Sequence, residues 1–138
     1  MAIIYPMFAL VVLTFIVGFS TGICRFISAK NGDVDPKYFR LLSGYNPPDY
    51  IVKLGRNFSN LFEVPVLFYT LGIIVLVLEI NNQLMLGFAW TFVALRVMHS
   101  IIHITYNNPI HRFLAFLLSS CIVLMMWIQL IIIIGRTA

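Results

Sequence analysis

Two stretches of this chain, Ala2 to Cys24 and Phe113 to Gly135, contain no acidic, basic or histidine side chain. At a rise of about 1.5 Å per residue, either is long enough to cross a hydrocarbon layer about 30 Å thick as a helix. The composition agrees: 61% of the 138 residues are hydrophobic and only 10% are charged, a balance foreign to soluble globular domains. The chain reads as an integral membrane protein.

Its middle reads as two further spans once flanking polar residues are counted. Val64 to Leu78 and Ile80 to Leu95 are apolar but short; helices from near Arg56 to Ile80 and from Leu84 to Tyr106 would both reach across. The polar break at Glu79, Asn81, Asn82 and Gln83 then becomes a tight connection between antiparallel neighbours. The expectation is an all-α, membrane-spanning four-helix bundle forming a single domain over residues 1–138. Its spans fall at roughly 3–27, 56–80, 84–106 and 112–135, with a long loop at roughly 29–55. A cleaved leader does not fit the first segment, which lacks a basic start and a small-residue cleavage site and is too long in its apolar run. Cys24 and Cys121 lie in apolar helices and imply no disulfide framework.

Arg25, Lys30, Lys37, Arg40, Lys53 and Arg56 lie in or beside the first loop, and Arg112 follows the third span; Arg136 lies on the other side. The positive-inside rule therefore puts the first and third loops in the cytoplasm and both termini outside it. The formal charge of +4 is a topology signal, with some attraction to anionic lipid of the bilayer, and the chain lacks the aromatic and basic interleaving of a nucleic-acid binder. With no retrieval tail and no basic carboxyl end, a bacterial inner membrane is the expected location for this multi-pass protein. The first loop mixes turn-forming and amphipathic residues, from Asp33 to Asp49, and reads either as a functional loop or as a plain connector. Gly18 and Gly22 form a GxxxG pair that lets another helix approach closely.

Against this apolar background, Arg56, Asn60 and Glu63 stand at i, i+4 and i+7, on one helical face. A charged side chain near the centre of a membrane helix costs roughly 2.5 to 3.5 kcal/mol on insertion scales, so it persists where a partner, cavity or ligand offsets that cost. Arg96, His99 and His103 share a face of the third helix. In antiparallel neighbours, Arg56 matches His103 in depth, Asn60 matches His99, and Glu63 matches Arg96. Together they outline a polar crevice opening towards the cytoplasm. Pro65 is expected within the second helix, freeing the carbonyl of Leu61 and bending the chain beside the polar face.

Guanidinium groups grip carboxylates, a carboxylate binds an amine, and an asparagine both donates and accepts, so this inventory suits a zwitterionic, peptide-like ligand with excess acid. Glutathione has that form, and a nearby arginine or protonated histidine would favour its reactive thiolate. The alternative is an internal network that joins helices without chemistry. His99 and His103 have the spacing of metal ligands, yet no third ligand is fixed by spacing and His111 lies beyond Pro109, so no metal is assigned. A proton or ion path along Glu63, His99 and His103 is a further transport reading, one that would require oligomerisation.

The run RNFSNLFEVP from Arg56 to Pro65, followed by VLFYTLG, resembles the second-helix signature of the MAPEG family, the membrane-associated proteins in eicosanoid and glutathione metabolism. The run RVMHSIIH from Arg96 to His103 is similar to that family's third-helix face. The resemblance implies a four-helix protomer in a homotrimer, with glutathione as co-substrate at subunit interfaces. It implies that Arg56, Asn60, Glu63 and Arg96 hold the glutathione backbone, with His99 and His103 at neighbouring hydrogen-bonding positions. Arg112, or else Arg25, would take the catalytic role of polarising the thiol. Val52 and Lys53 replace the aromatic-Glu-Arg run that often precedes the motif, Pro65 follows Glu63 more closely than in the better-known synthases, and His103 stands where tyrosine is common. The resemblance therefore carries further for glutathione binding than for any one reaction. Two functions are expected to compete: a glutathione transferase or peroxidase acting on hydrophobic small-molecule electrophiles, and a non-catalytic membrane protein that keeps the fold for assembly or for binding another small ligand or lipid.

Overall fold

The computed structural model describes residues 2–44 and 46–137; Met1, Tyr45 and Ala138, which the single-domain expectation includes, lie outside the described residues. The chain is all-helical: α1 (Ile4–Asn31), α2 (Tyr38–Leu41), α3 (Asp49–Asn60), α4 (Val64–Val77), α5 (Gln83–Ile104) and α6 (Pro109–Thr137). Four segments are long and apolar enough to cross a membrane, because α3 and α4 join into one interrupted span over Asp49–Val77. The other three are α1, α5 and α6.

The second span begins at Asp49, about two turns before Arg56. Pro48 sets this start, since its extended backbone (φ −56°, ψ 146°) ends the loop and its carbonyl accepts from Ile51 N–H at 3.0 Å. The same span breaks ahead of Pro65 rather than bending at it. Glu63 leaves the helical region (φ −90°, ψ −98°), and the N–H groups of Leu61 and Phe62 bond back only three residues, to Phe58 and Ser59. Pro65 is then the second residue of α4, where its missing N–H forfeits no helical bond. With 14 residues, α4 alone would cover about 21 Å, so α3 is needed to complete the crossing.

The connections are capped by the polar residues that mark them in the sequence. Asn82 Oδ1 accepts from Met85 N–H at 3.0 Å and starts α5. Asn108 Oδ1 accepts from the N–H groups of Ile110 and His111, at 2.9 and 3.3 Å, and starts α6 at Pro109.

Packing is uneven along the bundle. One end is filled by Leu10, Phe68, Leu71, Phe92, Met126 and Leu130, all buried, with the Phe68 and Phe92 rings 4.7 Å apart. On the outside, Phe8, Phe15, Phe19, Phe26, Ile131 and others are exposed, as lipid-facing side chains are. The long loop is no plain connector. Val34, Tyr38 and Ile51 form a small second core against Cys24 and Phe39, and the hydroxyls of Ser28 and Tyr50 are hydrogen bonded between α1 and α3.

Of the GxxxG pair, Gly18 is used within the chain: a Cβ there would sit 2.9 Å from Phe58 Cε2 of α3. Gly22 has nothing within 4 Å of such a position.

Candidate functional site

The polar residues gather at the end of the bundle that carries the first and third loops. Arg56 and Asn60 come from the last turns of α3, and Glu63 from the break that follows. All three line a cavity of about 480 Å³, whose wall also includes Arg25, Tyr38 and Arg112. A second cavity, about 240 Å³, shares Asn60, Glu63 and Arg112 and adds His99, Phe113 and Phe116. The two form one crevice, bounded by α1, the loop, the α3–α4 break, α5 and the start of α6.

Each arginine reaches it by an identifiable route. Arg25 crosses from α1 over Gly55; a Cβ on that glycine would meet Arg25 Nη2 at 3.1 Å, so the close passage depends on its absence. Its guanidinium carbon also stands 5.8 Å from the centre of the Phe39 ring, a cation–π contact with the loop. Arg112 lies in the first turn of α6, and Asn107 Oδ1 accepts from its Nη1 at 2.8 Å. Asn107 itself adopts a left-handed backbone (φ 51°), which asparagine tolerates better than most residues. The Asn-Asn-Pro loop thus both caps α6 and aims Arg112. Arg56 is exposed on the opposite wall, and its carbonyl accepts from Asn60 Nδ2 at 2.9 Å, fixing the amide beside it.

Arg96 has a different place. It is fully buried, and its Nη2 donates to the backbone carbonyl of Asn60 at 2.5 Å, while Nε and Nη1 have no hydrogen-bond partner among the described residues. The depth match with Glu63 does not become a hydrogen-bonded ion pair. The reason is the break: it turns Glu63 to the exterior and frees the last carbonyls of α3, and the guanidinium takes one of them. A cation at a helix C-terminus is also favoured by the helix dipole. Arg96 therefore clamps the break that presents Asn60 and Glu63, and it stands behind the crevice wall.

The other two depth matches each share a cavity. Asn60 and His99 both line the smaller part of the crevice. Arg56 and His103 line a neighbouring cavity of about 320 Å³, which shares Arg56 and Val52 with the crevice and adds Asp49, Lys53 and Asn107. His111 lies in the first turn of α6, where Nδ1 shares a 2.9 Å hydrogen bond with the Tyr106 hydroxyl. Among the described residues no group of three or more His, Cys, Asp or Glu could hold a metal ion.

Sequence reasoning missed Asn57, Ser100 and Tyr38. Ser100 Oγ donates to Asn57 Oδ1 at 3.1 Å, and both residues are buried. The available signal was angular: one residue past Arg56, Asn57 lies about 100° around the helix and faces inward. Tyr38 sits in the loop, where no periodicity could place it. On the other side of the break, Phe58, Leu61 and Phe62 join Phe15, Phe19 and Val66 in an almost wholly apolar groove of about 580 Å³.

Four apolar spans around a crevice lined by charged side chains define a multi-pass membrane protein whose polar residues gather at one end of the bundle. The MAPEG family model matches residues 3–132, nearly the whole chain, and the protein belongs to that family. The resemblance read from two short motifs thus extends over all four spans. No curated protein and no solved structure matches the chain.

Proposed function

We propose that this protein is a membrane glutathione-dependent transferase or peroxidase acting on hydrophobic electrophiles. The observation that carries the reading is the convergence of Arg25 and Arg112. One comes from the first span and the other from the last, yet both line the cavity that holds Arg56, Asn60 and Glu63. Three guanidinium groups, one carboxylate and one amide match the two carboxylates, the ammonium and the peptide groups of glutathione. A volume of about 480 Å³ lies within the roughly 300 to 1,000 Å³ of small-molecule sites. In this assignment Arg56, Asn60 and Glu63 hold the backbone of the ligand, and Arg112 and Arg25 stabilise the thiolate. His99 lines the smaller part of the crevice, and Arg96 and His103 support the site from behind. The apolar groove across the break offers a hydrophobic electrophile a lateral approach from the bilayer.

Arg56 and Glu63 are exposed although they belong to a membrane span, so a single protomer leaves the crevice half open. Assembly as a homotrimer, with the loop side in the cytoplasm of a bacterial cell and glutathione at the subunit interface, completes the proposal. The experiment is calorimetric titration of the detergent-purified protein with glutathione, paired with conjugation of a generic aromatic electrophile. Saturable binding and turnover are expected in the natural protein, with turnover lost in Arg112→Leu combined with Arg25→Leu. Neither binding nor turnover in the natural protein would overturn the assignment.

A further inference from the structure

Two histidines of α5 line neighbouring cavities at the polar end of the bundle. His99 lines the part of the crevice that contains Glu63 and Arg112, and His103 lines the cavity that contains Asp49 and Lys53. Their ring centres are 5.8 Å apart, a gap that one bridging water or a modest ring rotation closes. Both residues are buried, at 3% and 0% exposure, and none of their four ring nitrogens has a hydrogen bond of ordinary geometry within the described residues. The Arg112 backbone comes near the His99 ring, and the His103 ring lies close to its own backbone. Buried polar atoms are usually paired, so two adjacent unpaired imidazoles stand out.

The rings are surrounded mainly by cations. Arg96 on α5 and Arg112 on α6 face His99, while Arg112, Arg56 and Lys53 face His103. The carboxylates at the two ends are Glu63 in the crevice and Asp49 in the cavity of about 320 Å³. A ligand filling the crevice blocks the open route from its own thiol to solvent. The proton therefore needs an exit behind the site.

We propose that His99 and His103 form a proton-transfer pair that carries the thiol proton of the bound co-substrate along α5 to the neighbouring cavity that holds Asp49 and Lys53. This rests on the glutathione assignment. The S–H bond breaks with both electrons left on sulfur, and the proton enters the unprotonated nitrogen of His99. The other nitrogen of His99 passes its proton to His103, which releases one to water or to the Asp49 carboxylate. Neutral imidazole carries one donor and one acceptor nitrogen, so each ring can accept and donate in a single passage.

The test is stopped-flow mixing of the purified protein with glutathione in weak buffer, following thiolate absorbance and a pH-indicator dye together. The natural protein should release a proton as the thiolate forms. His103→Ala should slow both signals by roughly a hundredfold, the scale of a lost acid–base group, and added imidazole should restore them by occupying the cavity enlarged from about 320 Å³. His99→Gln, which keeps hydrogen bonding but cannot pass a proton on, should slow them similarly; where His103→Ala does not fold, His103→Gln replaces it with the same expectation. Glutathione binding with natural proton-release rates in the variants overturns the relay alone, as does a loss that imidazole fails to restore in a folded His103→Ala protein. Absence of glutathione binding in the natural protein overturns the relay and the function together.

Discussion

The two ends of this bundle are filled by opposite chemistry. At one end Leu10, Phe68, Leu71, Phe92, Met126 and Leu130 fill the interior. At the other, Asn57, Arg96, His99, Ser100 and His103 do so, and several of their nitrogens have no hydrogen-bond partner among the described residues. In a bilayer, apolar side chains gain little by leaving lipid, so the first end is held by close packing. The second is held by a few directed bonds: Arg96 to Asn60, Ser100 to Asn57, and Arg112 to Asn107. The contrast sets close packing at one end against unpaired polar groups at the other, an arrangement in which unsatisfied groups persist because the rest of the structure tolerates them.

The strongest challenge to that division is Phe68→Ala. Phe68 is fully buried and stacks on Phe92, so its loss should cost about 3 kcal/mol, the lower end for such a truncation because the transfer contribution shrinks in lipid. Thermal unfolding in detergent should show the loss, while calorimetry on the folded protein should find glutathione affinity unchanged. A matching loss of affinity would mean that the ends are coupled.

Arg96→Gln should cost about 2 kcal/mol, within the range for leaving a buried acceptor unpaired, because the Asn60 carbonyl loses its donor. Here unfolding temperature and affinity should fall together, since the break also presents Asn60 and Glu63. Glu63→Gln is the complement. Glu63 is exposed in the protomer, so stability should hold while the Kd for glutathione rises by about tenfold, equivalent to about 1.4 kcal/mol. If Glu63→Gln unfolds the protein instead, the carboxylate belongs to the helix network and the non-catalytic reading gains.

How legible these ends were in the sequence depended on what each residue costs in a membrane. Arg56, Glu63 and Arg96 stood out because a charge in an apolar run demands an explanation. Asn57 and Ser100 did not, because neutral polar side chains are inexpensive there and common. Arg25 and Arg112 read as alternatives for one role, since nothing in spacing reveals that residues 87 positions apart in the chain line one cavity. Pro65 signalled a distortion, but its position and form depended on Glu63 leaving the helical region and on Arg96 receiving the freed carbonyl. That last contact is tertiary, and periodicity carries no record of it.

The smallest expected effect concerns the surface that neither end uses. Gly18 is committed to Phe58, whereas a methyl group on Gly22 would meet nothing within 4 Å. Gly22→Ala should therefore leave the protomer intact and raise its unfolding temperature slightly, since alanine in a helix interior is favoured over glycine by up to about 1 kcal/mol. Chemical cross-linking in native membranes adds a second readout. A variant that is more stable but cross-links less to its own copies than the natural protein would place Gly22 in a contact between copies, because close helix approach is a use of this glycine that a methyl group would block. Unchanged cross-linking would leave it facing lipid and move the search for the subunit interface to the exposed Arg56 and Glu63 wall.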